Sequence, residues 1–239
     1  MSQNMYLKNV LKRFGMDSCK PRGTPCEMNL SSYESGGDVD IDKYREMVGS
    51  LVYAMVCTRP DLSYVVTKLS QHLSCPTDGD LVTMKHVFQY IQGTLDYGLL
   101  FTQQNSQLSA YCDADWGSTC DNRRCITGFC FSLAPNGPVI SWKSKKQKSV
   151  ALSTCEAEYV AMSIAAQEAA YLSQLHEDMT GFNLKPILIR NDNQGALSIV
   201  KNTSNHHKTK HVDIQVPPHN WSRHLRPAPS LAFDGVGGV

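Results

Sequence analysis

Apolar residues recur at helical spacing through the first hundred positions and at alternate positions after that. Leu7, Val10, Leu11 and Phe14 fall at i, i+3, i+4 and i+7, with Gly15 placed to end that helix. Residues 17–42 read as a loop, carrying Pro21, Gly23, Pro25, Ser31-Ser32 and Ser35-Gly36-Gly37-Asp38. A second stripe, Tyr44, Val48, Leu51, Val52 and Met55, stops before Pro60. A third, Leu62, Val65, Val66 and Leu69, has Asp61 near its start and Pro76 beyond its end. A fourth, Leu81, Met84, Val87, Phe88 and Ile91, ends near Gly93. Stripes of this kind are core faces, and they predict packing rather than chemistry.

The period changes near residue 99. Leu99-Leu100-Phe101 leads through a polar turn to Leu108, Ala110 and Cys112, which alternate with Ser109, Tyr111 and Asp113 as a half-buried strand does. Ile126 to Leu133 predicts a second strand, and the turn Ala134-Pro135-Asn136-Gly137 leads into a third, Val139 to Trp142. A long helix is expected from about Thr154 to His176, a fourth apolar run over Pro186 to Ile189, and a short helix around Ala196, Leu197 and Val200. Hairpin-like strands followed by helix, strand and helix make an α/β pattern with a mixed sheet. After Ile214 come Pro217-Pro218, Pro227-Ala228-Pro229 and Gly235-Val236-Gly237-Gly238, which predict an irregular tail.

Composition narrows this only a little. With 239 residues there is room for one large domain or two small ones, and 41% hydrophobic with 19% charged residues is ordinary for a globular chain. A net charge of +1 argues neither for nor against a nucleic-acid partner, so local clustering must decide. One cluster exists: Lys143, Lys145, Lys146 and Lys148. Nine cysteines without a CxxC pair, and no secretory leader at Met1-Ser2-Gln3-Asn4, predict reduced thiols in an intracellular protein, cytoplasmic or nuclear. No apolar run is long enough to span a bilayer.

The acids carry the chemistry. Tyr111-Cys112-Asp113-Ala114-Asp115-Trp116 ends the first strand in two carboxylates, where an acidic turn is the alternative reading. Ser153 and Glu156 fit a capping box, which gives Glu156 a structural role. Glu158 lies about 200° further round the helix at 3.6 residues per turn, so it is the free acid. Asp192 follows the fourth strand, at the end where ligand groups collect in α/β sheets. Asp213 follows the basic run His206-His207-Lys208-Thr209-Lys210-His211. Acids from separate elements raise each other's pKa unless a cation joins them, and hard oxygen donors suit Mg²⁺ or Mn²⁺. Two such ions about 4 Å apart can activate water and stabilise the leaving oxygen of a phosphodiester. Zinc held by Cys112, Cys120, Cys125 and Cys130 is disfavoured by their spacing.

Several stretches carry a resemblance: Asp113-Ala114-Asp115-Trp116, Ile140-Ser141-Trp142-Lys143-Ser144-Lys145-Lys146-Gln147, Leu152-Ser153-Thr154-Cys155-Glu156-Ala157-Glu158-Tyr159, Asp192-Asn193-Gln194 and Thr209-Lys210-His211-Val212-Asp213. In order and spacing they resemble the ribonuclease H domain of Copia-type (Ty1/Copia) retrotransposon Pol polyproteins. Tyr44 to Leu51 and Thr58-Arg59-Pro60-Asp61 resemble the end of the preceding reverse transcriptase. The resemblance implies a helical reverse-transcriptase remnant over 1–100, a ribonuclease H-like mixed sheet with flanking helices over 101–215 and a tail over 216–239. It also implies hydrolysis of the RNA strand of RNA/DNA hybrids with two Mg²⁺ or Mn²⁺ ions, held by Asp113, Glu158, Asp192 and Asp213. Lys143, Lys145, Lys146 and Lys148 would meet phosphates. Asp115 has the strand parity of Asp113, which makes it a candidate helper, and His206 resembles a histidine that assists product release, with a solvated loop histidine as its alternative. The remainder of a reverse transcriptase is an expected partner; a membrane and a small-molecule cofactor are not.

Two features depart from the pattern. The polymerase's own Asp-Asp motif is absent. Pro217 and Pro218 fall close after Asp213, where the family continues as a helix. The second reading is therefore a non-catalytic remnant that at most binds nucleic acid.

Overall fold

The computed structural model describes residues 1–27, 39–102, 108–115, 124–134, 137–182, 187–201 and 232–235. The chain divides into two compact units, Met1–Phe101 and Thr102–Val239.

The first unit is helical, with α1 (Asn4–Arg13), α2 (Ile41–Cys57), α3 (Ser63–Leu69) and α4 (Asp78–Gly93). The four stripes are its interior: Leu7, Leu11, Tyr44, Leu51, Leu62, Leu69, Met84, Phe88 and Ile91 are all almost fully buried. Local chemistry sets the helix ends. The Lys43 backbone N–H donates to Asp40 at 3.0 Å, and Thr77 and Asp80 form a reciprocal capping box. Gly15, at φ 68°, takes the left-handed conformation that stops α1.

The second unit is a five-stranded sheet with two described helices. Its strands are β1 (Ser109–Asp115), β2 (Ile126–Ser132), β3 (Val139–Lys146), β4 (Leu188–Asn191) and β5 (Ala232–Gly235); the helices are α5 (Thr154–Thr180) and α6 (Gln194–Lys201). The order is β3-β2-β1-β4-β5. β2 runs antiparallel to β1 and β3, while β1, β4 and β5 are parallel to one another, so β2 is the one reversed strand. Register fixes which residues share a face. Ala110 faces Phe131, and Cys112 faces Phe129. These four pack with Met162, Ala165, Ala166 and Ala169 of α5. Ala157, Ala161, Ala165 and Ala169 recur every fourth position and are all buried, so small side chains let α5 lie close on the sheet.

Two differences from the sequence-based expectation matter. β3 continues past Trp142 to Lys146, so three of the clustered lysines stand on a strand. The stretch from 216 onward, expected to be irregular, contains β5 beside β4. Its four residues, bounded by proline- and glycine-rich sequence, are too few for alternation to reveal. No helix among the described residues is long and apolar enough to cross a membrane.

Candidate metal centre

Three of the expected acids meet. Ligand atoms of Asp113, Glu158 and Asp192 lie within 4.8 Å of one another. Each arrives from a separate element for a local reason. Asp113 stands near the carboxyl end of β1, on the opposite face from Cys112 and exposed. Asp192 follows the last residue of β4 in the parallel neighbour of β1, so both strands deliver their ends to one edge. Glu158 is in phase with Met162, Ala165 and Ala169, the stripe of α5 that packs on the sheet. That phase leaves Glu158 only 6% exposed.

Burial dominates the electrostatics of Glu158. Desolvation, with the neighbouring Asp113 carboxylate adding to it, pushes its carboxyl up to about 7, against donation from Asn191 and from the Ala114 backbone N–H. This carboxyl is raised above its ordinary 4.5. Its contribution to the stability of the ion-free chain is therefore full below about 4.5 and lost as pH rises towards 7. Glu158→Gln should raise the melting temperature of the ion-free chain at pH 8 and remove any further rise on adding Mn²⁺. A melting temperature lowered at pH 8 would contradict the strained carboxylate.

Glu156 has the structural role that the spacing predicts, with one change of partner. Its backbone N–H donates to Ser153 Oγ at 3.2 Å. Its carboxylate accepts from the Leu152 backbone N–H at 2.8 Å, one residue before the N-cap.

The lysines do not form one patch. Lys143 pairs in register with Phe129, and Lys145 with Thr127, on the face that carries α5. Lys146 pairs with Ile126, itself opposite Asp115, and so belongs to the face of Asp113. Lys143, Lys145 and Lys148 are exposed, whereas Lys146 is half-buried. Asp115 is half-buried at the end of β1, and the three-acid group does not include it. Asp213 and His206 lie outside the described residues. The cysteines among the described residues are all free thiols.

Two site residues escaped the sequence reading. Asn191 is 1% exposed, and its amide donates to Glu158 Oε2 at 2.8 Å. Gln147, 4% exposed, donates through Nε2 to Thr127 Oγ1 at 2.9 Å and to Ala157 O at 3.0 Å, tying the end of β3 to the start of α5. A polar residue that predicts a turn or a strand end by type gives no sign that it is buried; only the pairing of distant elements shows that. Asn193 accepts from the Ala196 backbone N–H at 2.9 Å and caps α6. A Cβ at Gly195 would come within 3.3 Å of Cys155 Sγ, so glycine lets α6 approach α5.

A 3-2-1-4-5 sheet with strand 2 alone reversed, bearing carboxylates at the ends of strands 1 and 4 and near the start of the helix that packs on them, is a ribonuclease H-like domain. No protein-family model matches the chain. The Pol polyprotein of transposon TNT 1-94 from Nicotiana tabacum is 36% identical over 233 residues, 94% of this chain and 17% of that protein. That of transposon RE1 from Arabidopsis thaliana is 36% identical over 217 residues, 90% of this chain and 15% of that protein. An uncharacterized mitochondrial protein of Arabidopsis thaliana is 39% identical over 176 residues, 72% of each. The chain belongs to the family of Copia-type retrotransposon Pol polyproteins. It spans about one sixth of the length of the Pol polyproteins it matches. Among solved structures, RNase H1 from Halobacterium salinarum NRC-1 aligns at TM-score 0.37 and 17% identity over 54% of this chain and 85% of that one. LC11-RNase H1 in complex with RNA/DNA hybrid aligns at TM-score 0.33 and 15% identity, again over 54% and 85%.

Proposed function

We propose that this chain hydrolyses the RNA strand of RNA/DNA hybrids with the help of divalent ions. The observation that carries this reading is the meeting of Asp113, Glu158 and Asp192 at one sheet edge. The donor set fits hard cations: three carboxylates, two exposed and one buried, with no sulfur or imidazole in the group. Bound there, Mg²⁺ or Mn²⁺ would supply charge stabilisation at a phosphodiester and lower the pKa of water.

The chain's own residues prepare the site. Asp113 and Asp192 present oxygens to solvent, where a substrate can approach. Glu158 stands behind them with two N–H donors on its carboxylate. Asp213 is proposed as a further ligand, His206 as an aid to product release and Asp115 as a helper. Of Lys143, Lys145, Lys146 and Lys148, those on the face that the hybrid meets would bind backbone phosphates without reading sequence. The remainder of a reverse transcriptase is the proposed protein partner.

A cleavage assay on a labelled hybrid, with Mg²⁺ and then Mn²⁺, tests the reading. Release of RNA fragments by the wild-type chain, lost in Glu158→Gln, is expected. A folded chain that cleaves with neither ion favours the non-catalytic remnant instead.

The division of the lysines gives a second test. A duplex lying on one face of the sheet meets Lys146 or the Lys143–Lys145 pair, not both. Replacing the set it meets should flatten the salt dependence of hybrid binding by about one unit of slope per lost phosphate contact, equally for all sequences. Replacing the other set should leave the slope unchanged. A change in sequence preference at constant slope would give the lysines a different role.

A further inference from the structure

Asn191 occupies a position that its neighbours in the chain do not explain. It is the last residue of β4, is almost fully buried, and uses nearly all of its hydrogen-bonding capacity. Its Nδ2 donates to Cys112 O at 3.0 Å and to Glu158 Oε2 at 2.8 Å. Its Oδ1 accepts from the Asn193 backbone N–H at 2.9 Å. Turning the amide over would set its oxygen against two acceptors and its NH₂ against a donor. Chemistry therefore fixes its orientation.

These partners are not scattered. Cys112 precedes Asp113, Glu158 is touched directly, and Asn191 itself precedes Asp192. One side chain thus links the three elements that deliver the three acids. It does so as a neutral donor. A lysine or arginine in its place would also hold Glu158, but its charge would offset the acids and compete with a cation. An aspartate would bring a fourth set of lone pairs against Glu158 and the Cys112 carbonyl.

We propose that Asn191 is the positioning residue of the metal centre: by holding Oε2 it fixes the Glu158 carboxylate relative to β1 and β4, beside Asp113 and Asp192. This extends the hydrolytic reading above, though its metal-binding part stands without it. Partners of this kind change metal affinity or activity by about 10–100-fold when removed. A purely structural role would lower stability and leave the affinity of the folded chain alone.

The test is Mn²⁺ titration by calorimetry on the full chain, wild type against Asn191→Ala and the near-isosteric Asn191→Asp. It is run well below the unfolding midpoint of each variant, with circular dichroism as the check of fold. Both variants should bind Mn²⁺ at least tenfold more weakly, while hybrid binding in EDTA, where the lysines alone would hold the phosphates, stays within twofold of wild type. Where wild type cleaves, kcat should fall with KM little changed. If Asn191→Ala is folded and keeps its Mn²⁺ affinity within twofold, the positioning role is overturned. If wild type binds Mn²⁺ and cleaves nothing, the hydrolytic reading fails while the variants still decide the role of Asn191. A wild-type chain that takes up no Mn²⁺ overturns both.

Discussion

Asp113→Asn, Glu158→Gln and Asp192→Asn should each reduce hybrid cleavage on the order of a thousandfold or more, without unfolding the chain. Ions bound at phosphodiester chemistry contribute several kcal/mol of charge stabilisation, and each 1.36 kcal/mol is tenfold in rate. The three carboxylates converge within 4.8 Å, so removing any one weakens the whole cation site rather than a third of it. Glu156→Gln is the control from the same helix, two residues away. Its carboxylate holds the Leu152 N–H and not the acids, so it should cost about 1 kcal/mol of stability, as a lost cap does. Turnover should stay within a few-fold. Single-turnover cleavage alongside denaturant unfolding separates the two outcomes. Equal loss of activity from Glu156→Gln in a folded chain would mean that the two glutamates have been assigned the wrong way round.

That contrast between Glu156 and Glu158 was legible in the sequence because helical phase is local. Residues two apart on a helix point about 200° from each other and so take different faces, and Ser153 marks the one that caps. β1 was legible for a similar reason: strict alternation over Leu108 to Asp113 puts Asp113 opposite a buried row. What the sequence could not show depends on pairing. The lysines look like one patch along the chain, but the β2–β3 register puts Lys143 and Lys145 on the face opposite Lys146. Asn191 reads as a turn residue by type, yet its amide lies between two strands and a helix. β5 has four residues and is defined by the β4 edge it completes. In each case the missing information is a contact between residues far apart in sequence, and no local period carries it.

The other large effect is expected in the helical unit, at the motif Thr58-Arg59-Pro60-Asp61. Arg59 is 1% exposed, and its guanidinium is held on several sides. Asp61 accepts from Nε at 3.0 Å and from Nη2 at 2.7 Å. Thr94 accepts through its carbonyl at 3.1 Å and through Oγ1 at 2.7 Å. Tyr90 donates to the same Asp61 carboxylate at 2.9 Å, and its ring lies 5.4 Å from the guanidinium carbon. The pair joins the turn after α2 to the end of α4. Its two members differ in exposure, because Asp61 is 31% exposed and Arg59 is not. Asp61→Ala strands a buried cation and should cost about 3–5 kcal/mol, the usual result of removing one partner from a buried pair. Arg59→Met leaves an acid that water can still reach and fills the space with an apolar chain, so it should cost clearly less. Arg59→Lys keeps the charge but loses the planar fork that serves Asp61 and Thr94 together, and should fall between the two. Urea unfolding of the three variants gives the order directly. If Arg59→Met proves more damaging than Asp61→Ala, the guanidinium's contacts with Thr94, Tyr90 and the Tyr97 ring, centred 5.7 Å from its carbon, outweigh the ion pair, and packing rather than charge holds this corner together.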